Sequence, residues 1–87
     1  MVHRWQMKIE LITREGCALC DDTKRILDNR EIEYTEKIIG TDLTRQQVFE
    51  LVPGLTSGTM LPLVLVDGTW IGGRTEIVRY INTENVT

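Results

Sequence analysis

The chain has 87 residues, enough for one domain spanning 1–87 and too few for a second packed core. Its net charge is −3, and its Lys and Arg are scattered, which excludes the basic face by which most nucleic-acid-binding modules hold phosphates. An apolar fraction of 41% beside 26% charged residues excludes a disordered chain, and no run approaches the ~20 apolar residues of a membrane-spanning helix.

The opening residues, Met1 to Gln6, lack the apolar stretch of a secretory signal. A cytoplasmic protein without membrane attachment is therefore expected, in a compartment where stable structural disulfides are uncommon. Two cysteines separated by two residues then read as redox-active or metal-binding.

In chain order, Met7, Ile9 and Leu11 alternate with polar neighbours, the period of a strand running to Thr13. Gly16 allows a tight turn into a helix from Cys17 to about Arg30, with Asp21 and Asp22 near its positive end. Glu33 to Ile39 is a second strand, punctuated by Gly40-Thr41-Asp42. Thr44 with Gln47 forms a capping-box pattern opening a second helix, in which Val48, Leu51 and Val52 make an apolar stripe and which Pro53-Gly54 stops. After a loop from Leu55 to Thr59, Leu63-Val64-Leu65-Val66 reads as a buried strand, Asp67-Gly68 as a hairpin turn, and Thr69-Trp70-Ile71 as the returning strand. Gly72-Gly73 leads into a last helix marked by Ile77, Val78, Tyr80 and Ile81. The order β-α-β-α-β-β-α predicts an α/β fold with parallel strands joined through the first helix and an antiparallel pair added by the hairpin.

Cys17 and Cys20 stand where the first strand hands over to the first helix. Unpaired N–H groups and the helix dipole there favour a thiolate, so Cys17 is the expected nucleophile. Cys20, about one turn further on, is placed to attack a mixed disulfide on Cys17 and resolve it. Half of a zinc site and two inert buried thiols are the other readings of the pair. Zinc wants four ligands, whereas His3 is the sole histidine and no second cysteine pair exists, so no metal is expected.

Three stretches resemble the glutaredoxin family of the thioredoxin fold, over roughly residues 8–81. Thr13-Arg14-Glu15-Gly16-Cys17-Ala18-Leu19-Cys20 is similar to its T-K-x-x-C-P-Y-C, Met60-Leu61-Pro62 to its T-V-P, and Gly72-Gly73-Arg74-Thr75-Glu76 to its G-G-x-[ST]-[DE]. The resemblance implies a thioredoxin-like four-stranded mixed sheet flanked by three helices, and a cis peptide before Pro62. It implies a dithiol oxidoreductase with glutathione as co-substrate and no tightly bound cofactor. Its partners would be proteins bearing disulfides, ribonucleotide reductase among them. Arg14 would pair with the glycyl carboxylate of glutathione. Arg74 and Thr75, at a helix start, would receive the γ-glutamyl carboxylate, and Glu76 the ammonium. Leu61, turned outward before Pro62, would pair through its backbone with the extended tripeptide. The chain departs from the family at Ala18, Leu19, Met60 and Leu63, and Leu19 stands where an aromatic ring usually lies near glutathione. Viral members depart in a similar way. The C-G-F-S signature of cluster-carrying monothiol relatives is missing. A thioredoxin-like redoxin reduced by a flavoprotein, and a non-enzymatic module of the same fold, are the competing readings.

Overall fold

The computed structural model describes residues 8–56 and 59–84; Met7, His3 and the middle of the expected Leu55–Thr59 loop lie outside them. The elements are β1 (Ile9–Thr13), α1 (Ala18–Asn29), β2 (Thr35–Ile38), α2 (Arg45–Leu51), β3 (Leu63–Val66), β4 (Thr69–Gly72) and α3 (Arg74–Glu84). The expected order therefore holds: β3 spans its sequence pattern, β1 and β2 are shorter than theirs, and β4 runs on to Gly72.

The sheet runs β2-β1-β3-β4. β1 pairs parallel with β2 and antiparallel with β3, and β4 pairs antiparallel with β3. A parallel neighbour needs a crossover connection, which α1 supplies. The β3–β4 turn places Asp67 at φ 53° and Gly68 at φ 85°, the left-handed pair that matches strand twist in a two-residue hairpin.

The strand alternation sorts the core into two layers. Ile9 and Leu11 of β1 join Val64 and Val66 of β3 on one face, beneath Leu27 of α1 and Ile77 and Ile81 of α3. Ile12 joins Leu63 and Leu65 on the other, beneath Val48 and Val52 of α2. All four residues of β3 are buried because both faces of the sheet are covered, which explains its unbroken apolar run.

Three details bear on the sequence reading. The capping box of α2 forms as expected, Gln47 N–H donating to Thr44 Oγ1 and Thr44 N–H to Gln47 Oε1. Leu51 does not join the buried stripe: with Val48 and Val52 facing the sheet, the helix ends at Leu51, which stays 46% exposed. The ladder between β3 and β4 slips by one residue at Val64/Leu65, so that Ile71 is the extra residue of a bulge beside Trp70.

Candidate active site

Cys17 is the N-cap of α1, its backbone extended and its sulfur accepting the Cys20 N–H at 3.1 Å. Gly16, at φ 76°, makes the turn that brings the chain off β1 into this position. Thr23, fully buried, donates its hydroxyl to the Leu19 carbonyl at 2.7 Å and holds the first turn from within. The two cysteines form a disulfide with Cα atoms 5.2 Å apart. They differ sharply in access: Cys17 is half-buried, whereas Cys20 is 1% exposed. Attack from outside therefore falls on Cys17, and Cys20 reaches only its neighbour.

Beneath the turn lies a charged knot that the sequence does not announce. Glu36 of β2 accepts the hydroxyl of buried Thr13 at 2.6 Å and the Lys24 ammonium at 3.0 Å. Lys24 also lies 3.7 Å from Asp21. The Thr13 hydroxyl, and then Lys24, hold the Glu36 carboxyl below its usual range, while Glu36 raises Lys24. The knot joins β1, β2 and α1.

The Leu61–Pro62 peptide is cis, as the motif implies, and Pro62 is buried. Leu61 lies outside β3, and among the described residues its N–H and C=O have no backbone hydrogen-bond partner. A cavity of about 450 Å³ opens beside the cysteine pair, where Leu19, Met60, Leu61, Trp70 and Ile71 supply apolar walls. Gly72, Gly73, Arg74, Thr75 and Glu76 close its other side. Trp70, to which the sequence assigns no role, packs against the α2-side core, lines this cavity and donates its indole N–H to the Gly72 carbonyl at 3.1 Å.

The charged residues singled out by the motifs are dispersed. Glu76 turns back on its own helix and accepts the Gly73 N–H at 2.8 Å, while Gly73 accepts the Ile77 N–H at 3.0 Å. That backbone bond, and one to its own N–H, hold the Glu76 carboxyl below the usual range. Gly72 permits the arrangement: its φ is 135°, and a Cβ there would overlap the Glu76 side chain. Arg74 donates its Nε–H to Asp22 of α1, a pairing across 52 residues that no local pattern could reveal. Thr75 is exposed at the cavity edge, and Arg14 is exposed and not among the cavity's lining residues. Among the described residues, no three His, Cys, Asp or Glu side chains gather as a metal ion would need.

A dithiol pair at the head of a helix, one sulfur accessible and one buried, on a β2-β1-β3-β4 mixed sheet beside a buried cis-proline, defines a thiol–disulfide oxidoreductase domain of the thioredoxin fold. Comparison with known proteins narrows this. No family model matches the sequence. Hybrid peroxiredoxin hyPrx5 of Haemophilus influenzae is 30% identical over 78 residues, which cover 90% of this chain and 31% of that protein. The chain thus spans about a third of the length of that curated relative. Among solved structures, glutaredoxin 1 from Francisella tularensis, complexed with cacodylate, superposes with a TM-score of 0.72 at 25% identity, over 93% of this chain and 99% of that one. The holo form of glutaredoxin C1 from Populus tremula x tremuloides gives 0.66 at 18% identity, over 90% and 78%, a likeness of fold. A Nu-class GST from Haemonchus contortus shares the fold at a TM-score of 0.60 and 18% identity, over 92% of this chain and 37% of its own. In fold and in its C-x-x-C pair the chain is similar to the glutaredoxins.

Proposed function

We propose that the protein reduces protein disulfides and glutathione mixed disulfides, and that glutathione restores it. The observation that carries this reading is the asymmetry of the pair: a half-buried Cys17 sulfur accepting a helix N–H, and a buried Cys20 behind it. In the reduced protein the same N–H and the start of α1 favour a thiolate at Cys17. That thiolate attacks one sulfur of the substrate disulfide, the S–S bond breaks, and the other sulfur leaves and takes a proton. Cys20 then loses its proton and attacks the Cys17 sulfur, releasing the second substrate thiol and closing the Cys17–Cys20 disulfide. Two electrons have passed from the protein to the substrate. Two molecules of glutathione reverse the change: the first forms a mixed disulfide on Cys17, and the second displaces it as oxidised glutathione.

Glutathione would lie along Leu61 and Pro62, where a Leu61 backbone with no backbone partner among the described residues suits an extended peptide. Arg14, Arg74, Thr75 and Glu76 would answer its charges, Arg74 through the guanidinium donors left free by Asp22. A cytosolic setting is part of this reading, and recipients such as ribonucleotide reductase follow from the family resemblance alone. No helix among the described residues is long and apolar enough to cross a membrane.

A second reading, a redoxin reduced by a flavoprotein, is favoured by the placement of the charges: Arg14 is outside the cavity lining, and Arg74 and Glu76 each have an internal partner. Turnover coupled either to glutathione with glutathione reductase or to thioredoxin reductase separates the two. Activity only in the first supports glutathione dependence, and activity only in the second replaces it.

A further inference from the structure

The cavity beside the cysteine pair carries more apolar surface than charge recognition needs. Met60, at the start of the Met60-Leu61-Pro62 turn, is 68% exposed, and Leu19, inside the C-x-x-C turn, is 39% exposed. Both line the cavity, with Trp70 and Ile71 forming apolar wall further in. Large apolar side chains left in water around one concavity mark a surface that something covers. The charged groups at the rim are already answered from within, Arg74 by Asp22 and Glu76 by the Gly73 N–H. Beside the remaining donors of Arg74, the surface left for a ligand is mainly apolar.

What covers it follows from the chemistry next to it. A disulfide that reacts at Cys17 must bring the residues beside its own cysteine onto the face that carries Leu19. Leu61 offers a backbone N–H and C=O with no backbone partner among the described residues, so an extended segment can pair there, and its side chains then alternate between the protein and solvent. We propose that the cavity takes an aliphatic or aromatic side chain adjacent to the reacting cysteine of a protein disulfide, and that Leu19 and Met60 select for it. This rests on the exchange reaction proposed for Cys17 and names the substrate class it prefers. Met60 suits the task because its flexible thioether adapts to side chains of different shape.

The test uses the reduced protein and three short peptides of identical length, each with one cysteine joined in a mixed disulfide to thiopyridine. The residue next to the cysteine is Leu, Ser or Asp. Cys17 attacks the peptide sulfur and releases thiopyridine, which is read by absorbance, and Cys20 then frees the peptide. The Leu peptide should react at least about fivefold faster than the Ser peptide, the lower end of what apolar pockets distinguish. The Asp peptide should be slowest. In Met60→Ser and in Leu19→Ser the Leu-to-Ser ratio should fall toward one, whereas Phe49→Ser, an exposed change on α2, should keep the wild-type ratio. Equal rates for the three peptides, or an undiminished ratio in both variants, would overturn the proposal and leave the exchange reaction standing. No thiopyridine released from any peptide would overturn the exchange reaction and this proposal with it.

Discussion

Cys17 and Cys20 share a side chain and a helix turn but not an environment. The Cys17 sulfur sits at the opening of α1, where it accepts an N–H, and Cys20 is sealed against the core. In the reduced protein near pH 7, a limiting amount of iodoacetamide should therefore label Cys17 first, as peptide mass mapping would read out; Cys20 labelled first would reverse the assigned roles. Gly72 is a second residue whose identity is dictated by place. Its φ of 135° and the absence of a Cβ let Glu76 fold back onto the Gly73 N–H. Gly72→Ala should lower the stability by about 1–3 kcal/mol in urea unfolding, from backbone strain and the displaced cap. An unchanged midpoint would mean that the turn relaxes freely.

Among the elements, those governed by neighbours in sequence are the ones legible in advance. The strand-to-helix turn at Gly16-Cys17, the Thr44 capping box and the Asp67-Gly68 hairpin each follow from two or three adjacent residues, and each is found in the structure. Leu51 was not legible: a short helix offers Val48, Leu51 and Val52 at equally plausible spacings, and only the seat of α2 on the sheet decides that Leu51 faces water. The same holds for Asp22 with Arg74 and for Thr13 with Glu36, pairs made by the fold between distant elements. The Glu36 knot carries its own prediction. Because its carboxyl is held below the usual 4.5 in the folded protein, its contribution is present above that value and is lost as pH falls through the lowered one. Lys24, raised above 10.5, contributes below that value and loses its share as pH rises through the raised one. Glu36→Gln should cost about 1 kcal/mol at neutral pH, since Thr13 keeps an acceptor and the ion pair is partly exposed. The difference from wild type should shrink as pH falls through the lowered Glu36 value and again as it rises through the raised Lys24 value. A difference independent of pH would show that packing, not charge, is what Gln disturbs.

For the molecule as a whole, the two core layers hold β1 between α2 on one side and α1 with α3 on the other. This sandwich brings the start of α1, the approach to β3 and the junction of β4 with α3 around one cavity, although they come from three separate stretches of chain. The motifs in those stretches indicated that they belong together. They could not show that Trp70 closes the cavity, or that Arg74 and Glu76 are engaged from within, because both depend on how the helices settle on the sheet. This framework serves exchange through Cys17. The most direct measurement is steady-state reduction of a protein disulfide, and separately of a glutathione mixed disulfide, by wild type, Cys17→Ser and Cys20→Ser under glutathione and glutathione reductase. Wild type should turn over both substrates, Cys17→Ser neither, and Cys20→Ser only the glutathione mixed disulfide; turnover by Cys17→Ser at the wild-type rate would mean that exchange does not run through Cys17.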